Sequence, residues 1–317
     1  MQIRGYVLRR LLYLVPSLLF ISILSFSLIY IAPGDPAEIL MTSPLGGADE
    51  KAVEEFRVKM GLDQPLHIQY YLWLEKAVHG DFGYSYMTNR LVLETIIDAF
   101  KNTLKLSALS LAIALIIAIP VGILAALKYN TISDDLSRFV SLIGVSIPNF
   151  WQAYLLILFF SVFLQWLPAA GIGEGGDIRH MILPALTMGT SSAAVIMRMM
   201  RSSMLEVMEM DYIRTARSKG LSELTVIMKH AMKNALIPVV TMIGLSIGFM
   251  LNGSMIVETI FGWPGIGRLV VESIYSRDYP MIQGSILFVA MVFVVANFLV
   301  DILYTWLNPR ITYERNK

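Results

Sequence analysis

The sequence predicts an all-α integral membrane protein of six transmembrane helices with both termini inside, and three observations carry that prediction. Charged residues make up only 15% of the chain, where a soluble domain carries about 25%. Six windows contain no Asp, Glu, Lys or Arg: 11–34, 106–127, 139–173, 181–197, 234–257 and 279–300. Each reaches or approaches the roughly 20 helical residues that cross about 30 Å of hydrocarbon. Finally, fifteen of the 25 Lys and Arg fall in the segments that an inside N-terminus makes cytoplasmic, while the shorter external segments keep only Arg179, Arg268 and Arg277. That asymmetry sets the orientation, and N-in with C-in suits an even helix count.

The first window reads as a retained helix. Its apolar run is longer than the roughly 7–15 residues of a secretory h-region, and it leads into Ala32-Pro33-Gly34-Asp35-Pro36 instead of a small-residue cleavage site. Residues 35–103 follow as the main external segment. There Asp49 is a candidate N-cap, Val53, Phe56 and Met60 recur at helical spacing, and Gly61 stops the helix. A second helix starts at Pro65 and carries Tyr70, Tyr71, Trp73 and Leu74 before Gly80, an aromatic face for the membrane surface or for helix ends.

The second span is 106–127. The third window exceeds one span, and Trp166, Pro168, Gly171 and Gly173 place the helix end near Gln165, giving a third helix over 139–164 and an external loop after it. The fourth window is the shortest, and Arg198 extends it by snorkelling. The cytoplasmic stretch 199–233 is too long for a hairpin. In it "MDYIRTARSKG" reads as a short helix with Ala216 on one side and Arg214, Arg217 and Lys219 around it, ended by Gly220 in a left-handed conformation. Ser222 caps the next helix, through Leu224, Ile227 and Met228. A small residue beside basic ones lets a partner's groove approach closely, with the charges orienting it; a loop that merely obeys the inside rule carries the same charges. Windows five and six complete the count.

Polar residues within spans are Asn149, Gln152, Asn252, Asn297 and Asp301, with Ser, Thr and Gly recurring in helix five. Such residues face protein or water, and close helix packing is their commonest use. Asn149, Gln152, Ser246, Asn252 and Glu258 are the candidates for a polar path or gate. Asp301 has no second acid or His within the spans to complete a proton relay, and reads as structural. Pro16, Pro120, Pro148 and Pro184 fall within or near spans, where each removes a backbone donor.

Several function classes are excluded or weakened. A net charge of +1 gives no reason to expect nucleic acid, and the absence of Cys removes disulfides, thiolate metal sites and a Cys nucleophile. No metal site is expected. The four His lie in loops or at helix ends, so an intramembrane hydrolase would have to use His180 with Ser191 or Ser192, without a G-x-S-x-G or H-E-x-x-H motif. No P-loop occurs, so the chain has no such device for ATP.

"LRRLLYLVPSLL", "APGDPA", "GLDQPLHIQYYLWL", "GDFGYS", "SIPNFW", "LQWLPAAG", "HMILPALTMG", "DYIRTARSKGLSE", "NALIP", "ETIFGWPGIGRLV", "RDYPMIQG" and "LVDILYTWLNPR" occur in this order along nearly the whole chain. Together they resemble the inner-membrane permeases of the dipeptide, oligopeptide and nickel class of ABC importers. The resemblance implies the type I importer permease fold in the cytoplasmic (inner) membrane. It implies a division into residues 1–34, an external segment 35–103 and a core permease 104–317 with its coupling segment at 199–233. It also implies partners: a second homologous permease, two ATP-binding subunits that hold the ATP and Mg, an extracytoplasmic substrate-binding protein, and lipid. No cofactor is expected in this chain, and no enzymatic activity.

By that resemblance the coupling helix that docks on the ATPase is Asp211, Arg214, Thr215, Ala216, Arg217, Ser218, Lys219, Gly220 and Leu221. Against the general importer pattern E-A-A-x-x-x-G, Ala216 and Gly220 match, Arg214 and Thr215 replace the Glu and first Ala, and Pro238 lies farther downstream. Phe261, Trp263 and Pro264 of "FGWPGIG" are implied as an external gate loop facing the binding protein; from the residues alone that stretch is a turn-rich loop. The leading cargo is a di- or oligopeptide, with nickel as a chelate, or another small solute such as an oligosaccharide, as alternatives.

Overall fold

The computed structural model describes residues 2–31, 50–59, 61, 63–173 and 175–307. These are helical throughout, apart from connecting turns and one isolated bridge between Tyr84 and Leu91. The helices are α1 (Gln2–Ile31), α2 (Glu50–Lys59), α3 (Leu66–Val78), α4 (Val92–Leu127), α5 (Ile132–Ser146), α6 (Asn149–Leu156), α7 (Arg179–Met208), α8 (Asp211–Ser218), α9 (Glu223–Thr225), α10 (Met232–Ile260), α11 (Ile266–Ser276) and α12 (Tyr279–Leu307). A π-helical turn extends α6 over Ile157–Phe163, and another joins α9 to α10 over Val226–Ala231. Asp49, Met60 and the side chains of Phe56, Asn252 and Asp301 lie outside the described residues.

Each charge-free window has helix among its described residues, but by length and composition four of the described helices are able to cross a membrane, or five if one bent pair counts as a single span. α1 contributes a shorter apolar stretch, Leu12–Ser27. The bent pair corrects the third predicted helix. Instead of running straight through 139–164, the chain turns by 105° between α5 and α6. Pro148 is the cause: it disfavours helical backbone at the residue before it, and Ile147 accordingly sits at φ −78°, ψ 123°. The end of that segment agrees with expectation, since Gln165 adopts a positive φ just past Phe163. α11 is an addition, for the sequence reading saw only a turn-rich loop at its start.

The residues divide into two compact units, 1–101 with 265–294 and 102–264 with 295–317. In the first, the aromatic face of α3 packs on α1: Phe26 meets Tyr70 edge-on at 5.4 Å, and Ser22 Oγ lies 2.7 Å from Tyr70 Oη. Tyr71, on the other side of α3, is exposed. The "GDFGYS" and "RDYP" segments meet here. Ser85 donates to the buried Asp278 carboxylate, which also accepts from Tyr86 N at 3.1 Å. Gly284 sits where an added Cβ would come within 2.8 Å of Val92 Cγ1, so the close approach requires glycine.

In the second unit α7 is the central helix: 56% of its apolar window is buried, against 22–33% for the other candidate spans. Small residues let its neighbours approach. A Cβ on Gly189 would reach 2.8 Å from Ser110 O, and one on Gly122 would reach 2.8 Å from Met200 Cβ. α5 is held to α7 by a bidentate ion pair, Arg201 Nε to Asp134 Oδ1 at 2.6 Å and Nη2 to Oδ2 at 2.7 Å. Asp134 is fully buried and also accepts from Asn130 N.

Candidate functional site

Two clusters of predicted residues can be built from the second unit. The first is the segment after α7. Met210, at ψ 146°, breaks the helix, and Asp211 supplies an acid in the first turn of α8, where the helix dipole favours it. α8 is amphipathic over its eight residues. Ile213 and Ala216, three apart on one face, are buried in a core with Met200, Met204, Val226, Ala231 and Val239. Asp211, Tyr212, Arg214, Thr215, Arg217, Ser218 and Lys219 are exposed. Gly220 takes φ +76° with open space around it, so its glycine is required by backbone conformation and not by crowding. Leu221 is exposed beyond it.

Three contacts fix how the chain returns. Arg217 grips Glu223 with both Nε (3.1 Å) and Nη2 (2.6 Å), and that hydrogen bond holds the guanidinium above its ordinary range. Ser222 Oγ accepts from Thr225 N, as the predicted cap. Asn234 Nδ2 donates to Tyr212 Oη at 2.8 Å, tying α8 to α10. The structure corrects one expectation: Ala216 is small because it faces this chain's own core, and the outer face of α8 is instead Tyr212, Arg214, Thr215 and Ser218.

The second cluster surrounds a cavity of about 290 Å³ between α6, α7 and α10. Its polar lining is Asn149, Ser191, Ser192 and Ser246. Thioethers of Met188, Met242 and Met250, with Val195 and Leu245, supply the rest. The 105° turn at Pro148 starts α6 at Asn149 and so brings it against α7. Ser191 Oγ donates to Asn149 Oδ1 at 2.7 Å, and Gln152 Nε2 donates to Thr190 Oγ1 at 2.5 Å. Thr190 Oγ1 in turn donates to Leu186 O at 2.7 Å. Ser246 Oγ donates to Met242 O at 2.8 Å. Asn149 and Ser246 are thus brought together, with Ser191 and Ser192, expected only as nucleophile candidates, beside them; Gln152 does not line the cavity and joins the cluster only through Thr190 and Ser191.

Glu258 does not join them. It lies twelve residues beyond Ser246 on α10, about 18 Å along the axis. There it is fully buried and accepts from Thr103 Oγ1 at 2.6 Å. The loop after α10 is clamped beside it: Trp263 N donates to Glu258 O, Trp263 Nε1 to Asn102 O, and Asn102 Nδ2 to Pro264 O. Phe261 and Trp263 are therefore core side chains, 1% and 2% exposed, and Pro264 is half-buried. Whatever face this loop presents outward is not made of its aromatic rings.

A hydrolytic pairing finds no support. Ser191 is eleven residues from His180 on the same helix, about 16 Å by helical rise. The histidine's Nδ1 is engaged with Ala170 O at 2.9 Å, and Ser191 bonds Asn149.

Comparison with known proteins identifies the family. Residues 118–313 match the family of binding-protein-dependent transport system inner membrane components, and residues 3–107 match the N-terminal part of such membrane components. Over 310 residues the chain is 45% identical to the glutathione transport system permease protein GsiC of Escherichia coli K12, and to that of Shigella dysenteriae serotype 1. These alignments cover 98% of this chain and 99% of each relative. Among solved structures, the MetNI methionine ABC transporter in an inward-facing conformation matches with a TM-score of 0.57 at 17% identity, covering 67% of this chain and 96% of that one. An amino acid ABC transporter matches with a TM-score of 0.51 at 17% identity, covering 69% and 94%. At these identities the structural likeness is one of fold. The chain belongs to the binding-protein-dependent transport system inner membrane component family: it is an inner-membrane permease subunit of an ABC importer and not an enzyme.

Proposed function

We propose that the cargo of this importer is a short peptide, of dipeptide or oligopeptide length. An extracytoplasmic binding protein delivers it, and it passes between this chain and a second homologous permease. The observation that carries the reading is 45% identity over 98% of the chain to permeases named for glutathione transport, glutathione being itself a short peptide. In this reading the chain crosses the membrane six times, N-in and C-in. The bent pair α5–α6 forms one of the crossings, residues 35–103 lie outside, and residues 199–233 lie in the cytoplasm.

α8 is the contact for one of two ATP-binding subunits, which hold ATP and Mg. The buried Ile213 and Ala216 support this role, because they share a core with Met200 and Met204 of α7. A force applied to the exposed face of α8 is then delivered to the central helix of the second unit. α7 also carries Ser191 and Ser192 of the cavity, so movement at the ATPase contact reaches the path through the core that α8 shares with α7.

The test is uptake into vesicles reconstituted with the binding protein, both permeases and both ATPase subunits. Labelled glutathione and a labelled dipeptide are compared with chelated nickel, with and without ATP. ATP-dependent peptide uptake is expected; nickel uptake alone, or peptide uptake that ignores ATP, would refute the reading.

A further inference from the structure

We infer that the cavity between α6, α7 and α10 is a transit subsite for an uncharged main-chain amide. It reads the peptide backbone and leaves side chains and charged termini unread. The inference rests on the peptide reading above and deepens it.

Uncommitted hydrogen-bonding capacity carries the argument. Asn149 spends its oxygen as the acceptor for Ser191, while its amide nitrogen has no hydrogen-bond partner among the described residues. The Ser192 hydroxyl likewise has none there. Ser246 donates its hydroxyl hydrogen bond to Met242 O and keeps its oxygen as an acceptor. The cavity therefore offers an N–H donor, a hydroxyl able to act either way, and an acceptor. A secondary amide, with a carbonyl oxygen beside an N–H, is the group that meets all three.

Charge and wall chemistry point the same way. Among the described residues, none lining the cavity is ionisable, so a charged terminus entering it would lose hydration without gaining a counter-ion from them. The described lining likewise holds no His, Asp or Glu to take a metal ion. Three of the five apolar lining residues described are Met, whose unbranched thioethers repack around variable shapes. At about 290 Å³ the cavity lies just below the usual range of ligand pockets, about 300 to 1,000 Å³. That is room for a peptide segment, and it suits a site that must release its cargo.

The chain contains no Cys, so one introduced thiol reports alone in this subunit. Val195→Cys places it in the cavity wall without altering a polar group. The complete complex in nanodiscs, with Cys-free partner subunits, is treated with a water-soluble thiol reagent. N-acetyl-dialanine amide is present in one arm and free alanine in another, and Ser276→Cys, on an exposed position of α11, is the control. Expected are labelling of the cavity thiol without ligand, protection by the capped dipeptide, no protection by alanine, and no effect at Ser276→Cys. Adding Asn149→Leu should raise the half-protecting concentration by roughly 2- to 10-fold, the worth of one hydrogen bond, with labelling in the absence of ligand reporting that the cavity is still formed.

A thiol that never reacts means protein or lipid fills the cavity, and overturns the inference. So does labelling indifferent to the capped dipeptide, or equal protection by alanine. Uptake by the wild-type complex separates the two claims. ATP-driven peptide uptake without protection sinks the subsite alone, whereas protection without peptide uptake sinks the cargo assignment.

Discussion

Breaking the ion pair between α5 and α7 tests how far the second unit depends on one buried contact. Arg201→Met keeps an unbranched apolar stem but removes both hydrogen bonds to Asp134, at 2.6 and 2.7 Å. It also removes the guanidinium placed 5.6 Å from the centroid of the Tyr129 ring. The Asp134 side chain is 0% exposed and keeps only the backbone amide of Asn130 as a donor. Losing one partner of a buried pair costs about 3–5 kcal/mol, chiefly because the remaining charge is stranded. Arg201 is 17% exposed, so solvent reaches one edge of the site and the lower end, about 3 kcal/mol, is expected. Replacing both partners, Asp134→Leu with Arg201→Met, removes the stranded charge and should recover most of that loss. The assay is a double-mutant cycle on unfolding of the detergent-solubilised chain, with Asp134→Leu as the second single variant. If Arg201→Met costs less than about 1 kcal/mol, in the range of an exposed pair, or if the double variant is no more stable than Arg201→Met, the argument from burial is wrong.

Four further outcomes follow from the geometry. Arg214→Glu reverses a charge on the outer face of α8 without touching its core; membrane insertion and unfolding should be unchanged while ATP-dependent uptake by the complex falls by at least tenfold. Ala216→Trp should instead lower stability by about 1–3 kcal/mol by overpacking a core position, so the unfolding midpoint of the isolated chain drops before any partner is added. Gly220→Ala meets no neighbour but must hold φ +76°, costing roughly 1–2 kcal/mol of backbone strain, read as a lower unfolding midpoint. His180→Ala should leave uptake within about twofold of wild type, since His180 is engaged with Ala170 O and has no part in the cavity; loss of uptake with a normally folded chain would reopen a role for it.

Much of this was legible in the sequence because membrane helices announce themselves one residue at a time. A charge inside lipid is costly wherever the rest of the chain goes, so the charge-free windows located the helices without any knowledge of their neighbours. Local backbone rules were equally readable. Gly220 ends α8 and Ser222 caps its successor because each needs only adjacent residues, and the ordered motifs pointed to the family that the comparisons established.

What the sequence left open depended on which face a residue shows and on what lies across from it. Pro148 announced a weakened helix, but whether it would bend a little or turn the chain by 105° was decided by the packing of α5 and α6 on α7. Ala216 looked like a docking residue, and Phe261 and Trp263 like an exposed loop, because composition does not say which side faces the core; the fold buries all three. Asp134 and Arg201 are 67 positions apart, and Ser191 meets Asn149 across 42. Neither distance carries a local signal, so only the close approach of helices, made possible by Gly122, Gly144 and Gly189, turns these separated polar residues into a clamp and a cavity. By itself the sequence determined the solvent, most of the apolar helical segments and the family; the tertiary structure alone decided where the third breaks and which polar groups meet one another within the chain, because both depend on what packs across from each residue.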